Sequence, residues 1–157
     1  MDSRITIIAE GIKGLNNAAV ELARKGEYDE AEKMFESMES TARLFSYNEG
    51  VGMARMSLAS ISVMRGKLSE ALCHIEVSVE HYPQCDGRKM ACDMQSRIVL
   101  MALETGIRKE KTGDLSGALE LFEKILPKLN EKRAAAVSKE IANIKEHLRT
   151  KEGTADR

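Results

Sequence analysis

Gly66-Lys67-Leu68-Ser69-Glu70-Ala71, followed by Ile75, is one of three copies of a single short pattern. The first copy is Gly26-Glu27-Tyr28-Asp29-Glu30-Ala31, followed by Phe35. The third is Gly113-Asp114-Leu115-Ser116-Gly117-Ala118, followed by Phe122. A small residue stands seven positions before each glycine: Ala19, Ala59 and Gly106. Glycine tolerates positive φ, so each copy reads as the turn of a helical hairpin, with one helix ending at the glycine and the next starting just after it. The acidic residues that follow suit a helix N-terminus, where they meet the positive end of the dipole. The alanine lies one turn into the second helix, and the small residue two turns before the end of the first. Facing small residues let two backbones approach closely while larger side chains interlock around them. Fixed offsets used three times predict a repeat architecture.

Apolar periodicity extends the pattern in both directions. Ile5, Ile8, Ile12, Leu15, Ala19 and Leu22 step by three and four and predict a first helix over about 3–25. Further helices follow Gly26, start near Asn48, run from Leu68 to a stop at Pro83, cover about 88–111, and span about 115–129. The hairpins are therefore expected at about 3–46, 48–83 and 88–129. Val137, Ile141, Ile144 and Leu148 form a narrow stripe on a seventh helix over 132–148, otherwise charged, which suits the cap of an array. Residues 150–157 are polar without periodicity and are expected to form a flexible tail. No linker divides the chain, so residues 1–149 read as one domain.

At 157 residues the chain is long enough to bury roughly 70% of its extended surface. Apolar residues make up 43% and charged residues 31%, which places it among folded chains. Two prolines and few β-branched clusters predict an all-α fold. A net charge of −1 gives no bulk attraction to nucleic acid or to a membrane. The Ile5–Ile8 run is too short and too charge-flanked for a signal peptide, and no stretch approaches the ~18 apolar residues of a membrane span. Three cysteines, an odd number, favour free thiols in a reducing compartment, so a cytoplasmic location is expected.

The hairpin glycines, Tyr28 and its leucine replacements, the three alanines, the Phe35/Ile75/Phe122 series and Pro83 together resemble the tetratricopeptide repeat family over residues ~15 to ~130. Departures accompany the resemblance. Arg43 and Asn130 stand at the family's proline position, and Ser62 and Lys109 at its aromatic position. The glycines are 40 and 47 residues apart, where about 34 is usual. The units thus look like the longer-helix variants. The resemblance implies a right-handed α–α superhelix of about seven helices and a concave groove, lined by the first helix of each unit, that takes a partner peptide or helix. By family register the groove residues are Lys13, Asn16, Asn17, Val20 and Arg24 of the first unit, Met53, Met56, Ser57, Ser60, Val63 and Met64 of the second, and Leu100, Leu103, Glu104 and Ile107 of the third. The middle of this set is apolar and rich in methionine, a side chain soft enough to fit varied partners. The same residues could instead be core, with a terminal helix filling the groove, because a Met stripe at helical spacing usually packs inward. A carboxylate clamp of the family's chaperone-tail binders is disfavoured, since Met56 and Glu104 occupy positions that need polar or basic groups.

The expectation is therefore a non-catalytic adaptor or scaffold that binds a protein or peptide, with no cofactor. No phosphate loop, Gly-x-Ser-x-Gly or His-Glu-x-x-His motif occurs. His74, His81, Cys85 and Cys92 do not have the paired spacing of a zinc site, so no metal is expected, and Cys73 and Cys92 read as small core residues. Nucleic acid is not expected as a partner, with aromatics at 4% and no Trp for base stacking. Two alternatives remain. Residues 27–39 hold six acids and one base, and residues 124–151 hold eight bases and three acids. Two solvated faces account for this simply, but it also suits a self-associating homo-oligomer. The other alternative is a regulatory domain that senses a peptide or ligand.

Overall fold

A computed structural model of the chain describes residues 3–155. The fold is all-α. Among the described residues the elements are α1 (Ser3–Arg24), α2 (Tyr28–Leu44), α3 (Asn48–Met64), α4 (Leu68–His81), α5 (Asp86–Lys111), α6 (Leu115–Ile125), a 3-10 turn (Leu126–Lys128) and α7 (Glu131–Ala155), with no strand. Where the sequence reads as one domain over 1–149, the structure divides after Ser96 into two compact units, and the division falls inside α5 and not at a linker.

Three hairpin turns carry the glycines that the pattern singled out. Gly26, Gly66 and Gly113 have φ of +80°, +73° and +88°. Each turn makes the same pair of bonds. The glycine N–H donates three residues back, as in Gly26 to Ala23 at 3.0 Å, and the next N–H reaches five residues back, as in Glu27 to Leu22 at 3.0 Å. This Schellman closure satisfies the last carbonyls of the outgoing helix. A fourth turn of identical bonding joins α2 to α3, where Ser46 donates to Arg43 at 3.1 Å and Tyr47 to Ala42 at 2.8 Å. Ser46 takes the left-handed position at φ +53°. The turns at 26, 46 and 66 thus recur every twenty residues, and the sequence repeat of 40 contains two structurally equivalent halves.

In the N-terminal unit, α1 to α4 pack in chain order, and α1 also touches α3. Ala19, Ala31, Ala59 and Ala71 are fully buried where the hairpin arms meet. Ile12, Phe35, Met38, Val51, Leu58 and Ile61 build the core around them. Each fully buried large apolar side chain contributes roughly 1.5–3 kcal/mol by removing its surface from water. Tyr82 closes the far end. Its buried ring lies against Gly52 and Gly87, and an added Cβ on Gly52 would sit 2.6 Å from it. Burial pushes the Tyr82 phenol up to about 12. Ser78 Oγ donates to the Gly52 carbonyl oxygen at 2.7 Å, which fastens α4 to α3 at the same level. Tyr82 itself adopts an extended conformation ahead of Pro83, and α4 ends there.

In the C-terminal unit, Gly106 takes the small-residue position and the Phe122 ring packs on it, with Ala118 fully buried nearby. Ile98, Val99, Ala102 and Ile125 are buried, as are Val137, Ile141 and Ile144 of α7, which packs on α6. Asp114 Oδ1 accepts from Gly117 N at 3.0 Å and caps α6, and Asn130 Oδ1 accepts from Arg133 N at 3.0 Å and caps α7. Pro127 falls in the 3-10 turn, so α6 stops at Ile125, short of the expected 129.

Two expectations are corrected. The seventh helix does not stop at 148 with a flexible tail from 150. It stays helical to Ala155, and residues 156–157 lie outside the described residues. Thr150 Oγ1 donates to the His147 carbonyl at 2.9 Å, and Thr154 Oγ1 to that of Lys151 at 2.9 Å, so these hydroxyls fold back on the helix. Cys73 and Cys92 are not core residues, since all three cysteines are exposed. Leu68, Ala71, Leu72, Ile75 and Ser78 form the buried face of α4, and Cys73 falls off it.

Candidate partner-binding groove

Helices α1 and α3 run in the same direction along one side of the N-terminal unit. The first halves of the two helices line one cavity, and their second halves line another. The wider cavity, about 590 Å³, is bounded by Ile5, Ala9, Glu10, Lys13, Asn16 and Asn17 of α1, and by Tyr47, Glu49 and Met53 at the start of α3. The narrower, about 220 Å³, is bounded by Val20, Ala23 and Arg24 of α1 and by Ser57, Ser60, Ile61 and Met64 of α3, with Phe35 of α2 at its base. Both lie on one seam, because residues 9, 13, 16, 20 and 23 of α1 and residues 53, 57, 60 and 64 of α3 recur at steps of three and four.

The groove residues expected from the family register are distributed as follows. Asn16, Asn17 and Met53 meet in the wide cavity, and Val20, Ser60 and Met64 in the narrow one. Met56 and Val63 are half-buried on α3 and line neither. Leu103, half-buried, and Ile107, exposed, belong to the C-terminal unit. Met64 is 53% exposed and Ile5 50%, so the seam presents large apolar side chains to solvent at both ends. Asn16 Oδ1 is buried in the wall of the wide cavity and has no hydrogen-bond partner among the described residues. Beside it, burial pushes the Tyr47 phenol up, and the Glu49 carboxylate to which it hydrogen-bonds adds to that.

Behind this groove lies a polar network that the sequence reading missed. Glu39 of α2 is 7% exposed, at the position where the hairpins carry a small residue. Its Oε1 accepts from Arg43 Nε at 2.7 Å and from Arg55 Nη2 of α3 at 3.0 Å. Arg55 Nε also lies 2.7 Å from Oε2, close enough to pair but not aligned as a hydrogen bond. Arg55 Nη1 donates to His74 Nδ1 of α4 at 2.9 Å. Burial alone would raise the Glu39 carboxyl, but the bonds from Arg43 and Arg55 outweigh it and hold the group below its usual range. Burial first, and Arg55 second, lower the His74 imidazole, so it is the neutral acceptor that Arg55 requires. The Glu39 carboxylate thus ties α2 to α3, and Arg55 carries the link on to His74 of α4, which fixes the helix that forms one wall of the groove. The signal available in sequence was Glu39 with Arg43 one turn on; Arg55 and His74 are too distant in the chain to be paired by inspection.

In the C-terminal unit a third cavity of about 350 Å³ is lined by Glu110, Lys111, Leu115, Asn143, His147 and Lys151, among others. Burial, and the Glu140 carboxyl to which it is bonded, raise Glu110. No group of three or more His, Cys, Asp or Glu side chains among the described residues could hold a metal ion, and no helix there is long and apolar enough to cross a membrane. No protein-family model, curated protein or solved structure matches the chain.

Proposed function

We propose that the chain is a non-catalytic, tetratricopeptide-like interaction module that binds an apolar segment of another protein along the α1–α3 seam. The supporting observation is the pair of cavities on that seam, lined by side chains from the first helices of two successive hairpins and left with Met53 and Met64 within reach of a partner. Methionine is unbranched and polarizable, so it moulds to an incoming side chain at small cost. The Glu39 network keeps the wall rigid, which lowers the ordering cost of binding. The test is capture of partners from source-cell lysate by the wild type and by a Met53→Glu/Met64→Glu variant. A protein held by the first and lost by a variant of unchanged helicity supports the reading. Equal retention refutes it, and loss of helicity shows that these residues are core.

Charge favours one second reading. Residues 1–96 carry fifteen acids against eleven bases, and residues 97–157 carry thirteen bases against ten acids. Opposite units suit head-to-tail association of copies. A mass that stays monomeric at low salt across concentration would sink that reading.

A further inference from the structure

We infer that His74 and His81 of α4 act together as a proton sensor that sets how firmly α4 is latched to α2 and α3. The sensor lies behind the groove and works whatever the groove binds.

The latch is a chain of side chains centred on Glu39 of α2. Glu39 accepts from Arg43 Nε at 2.7 Å and from Arg55 Nη2 of α3 at 3.0 Å. Each arginine then reaches a histidine of α4. Arg55 Nη1 lies 2.9 Å from His74 Nδ1, and Arg43 Nη1 lies 3.4 Å from His81 Nε2. The two histidines are seven residues apart, close to two turns, so one face of α4 carries both.

Donor chemistry fixes the state of both rings. A guanidinium has only N–H donors and keeps its charge, so a ring nitrogen that faces it must offer a lone pair. His81 Nδ1 lies 2.9 Å from the Val77 carbonyl oxygen, which can only accept. The His81 proton is therefore on Nδ1 and the lone pair on Nε2, toward Arg43. His74 has the opposite arrangement, with the lone pair on Nδ1 and the proton on Nε2. The latch closes only when both rings are neutral.

Acid opens it. A proton added to either ring sets N–H against N–H and cation against cation, where a hydrogen bond stood before. Both rings ride on α4, while the arginines ride on α2 and α3 and are held there by Glu39. The repulsion therefore acts on the seat of α4. Nearby charges do not relieve it. Glu70 of α4 and Glu39 and Glu32 of α2 draw a proton toward His74, but burial and Arg55 of α3 outweigh them. Glu32 is itself bonded by Arg65, which follows α3, at 3.0 Å. At His81 the facing cation is Arg43 of α2, and Arg88 of α5 donates to the carbonyl oxygen of the next residue, Tyr82, at 3.5 Å. The latch is thus complete at neutral pH and is lost as pH falls, with a slope that grows with the number of protons taken up.

The test uses the full chain. Nitrogen-15 shifts of the imidazoles at neutral pH read the tautomers. Hydrogen exchange of the α4 amides, corrected for its intrinsic pH dependence, is followed from about pH 7.5 to about pH 5.5. His81 is expected as the Nδ1–H tautomer and His74 as the Nε2–H tautomer. Protection of α4 is expected to fall by about tenfold or more over this range, and further than that of α1, which contributes no side chain to the latch. His74→Gln and His81→Gln should each make the fall shallower, and the double variant should abolish it. A fall of full size in a folded double variant would overturn the sensor. A single variant that is already flat would overturn the joint action. An equal loss in α1 would overturn the release of α4 in favour of unfolding of the whole unit. The tautomers are read in the wild type, so they decide even if a variant fails to fold: His81 protonated on Nε2 alone at neutral pH would refute the latch.

Discussion

Ser46 holds the left-handed turn position that glycine holds at 26, 66 and 113. A side chain there costs roughly 1–2 kcal/mol, and glycine gives back part of that as unfolded-state entropy. Ser46→Gly is therefore expected to stabilise the N-terminal unit by about 0.5–1 kcal/mol, read as a raised denaturant midpoint with unchanged slope. His74 supplies a pH dependence. Its folded pKa is lowered, so its contribution is complete above the unfolded value near 6.5 and is lost as pH falls through the folded one. Arg55 bonds to it, and Glu70, Glu39 and Glu32 are the other charges it feels. The melting temperature should fall between about pH 7 and pH 5, and His74→Gln should flatten that slope. A slope identical in the variant would mean that other groups titrate there.

Close approach between helix arms makes Gly106 the sensitive position of the third hairpin. A Cβ there would lie 2.5 Å from the Phe122 ring, which is itself buried. Gly106→Ala gains helix propensity, but displacing the ring should outweigh it, for a net loss of about 1–3 kcal/mol in chemical denaturation. Much at this scale was legible in the sequence, because the small residue, the glycine, the alanine and the apolar steps keep the same offsets in all three copies. Three features were not. The α2–α3 turn was hidden because a serine carries no sign of positive φ. Glu39 was hidden because its burial depends on an arginine from another helix. The end of α7 was hidden because threonines bonded to the preceding turn look the same in sequence as threonines in solvent. Of the expected residues on α1 and α3, all line the two cavities except Met56 and Val63, which line neither. The depth of the narrow cavity at Ser57 and Ser60 was not legible, since it depends on which side chains stand across the seam.

The whole chain is two units of opposite charge balance, with the two α1–α3 cavities in the acidic one. A basic partner should associate faster with the acidic unit at low salt, and that advantage should fade as rising salt shortens the Debye length to about 8–10 Å. The twenty-residue recurrence of the Schellman turns reaches further, into what the gene encoding this chain can lose or gain. Gly26 and Gly66 are interchangeable joints, so excising residues 27–66 splices Gly26 directly onto Lys67 and brings Ala71 to the offset from Ala19 that Ala31 now holds. The shortened chain keeps the hairpin register but loses α2 and α3, which hold eight of the ten buried residues in the core cluster of the N-terminal unit, so that unit's transition should be lost while the C-terminal unit still melts. Growth suits this stretch better than loss: duplicating residues 27–66 inserts a second α2–α3 pair between the same joints and leaves the existing core in place, where the excision empties it.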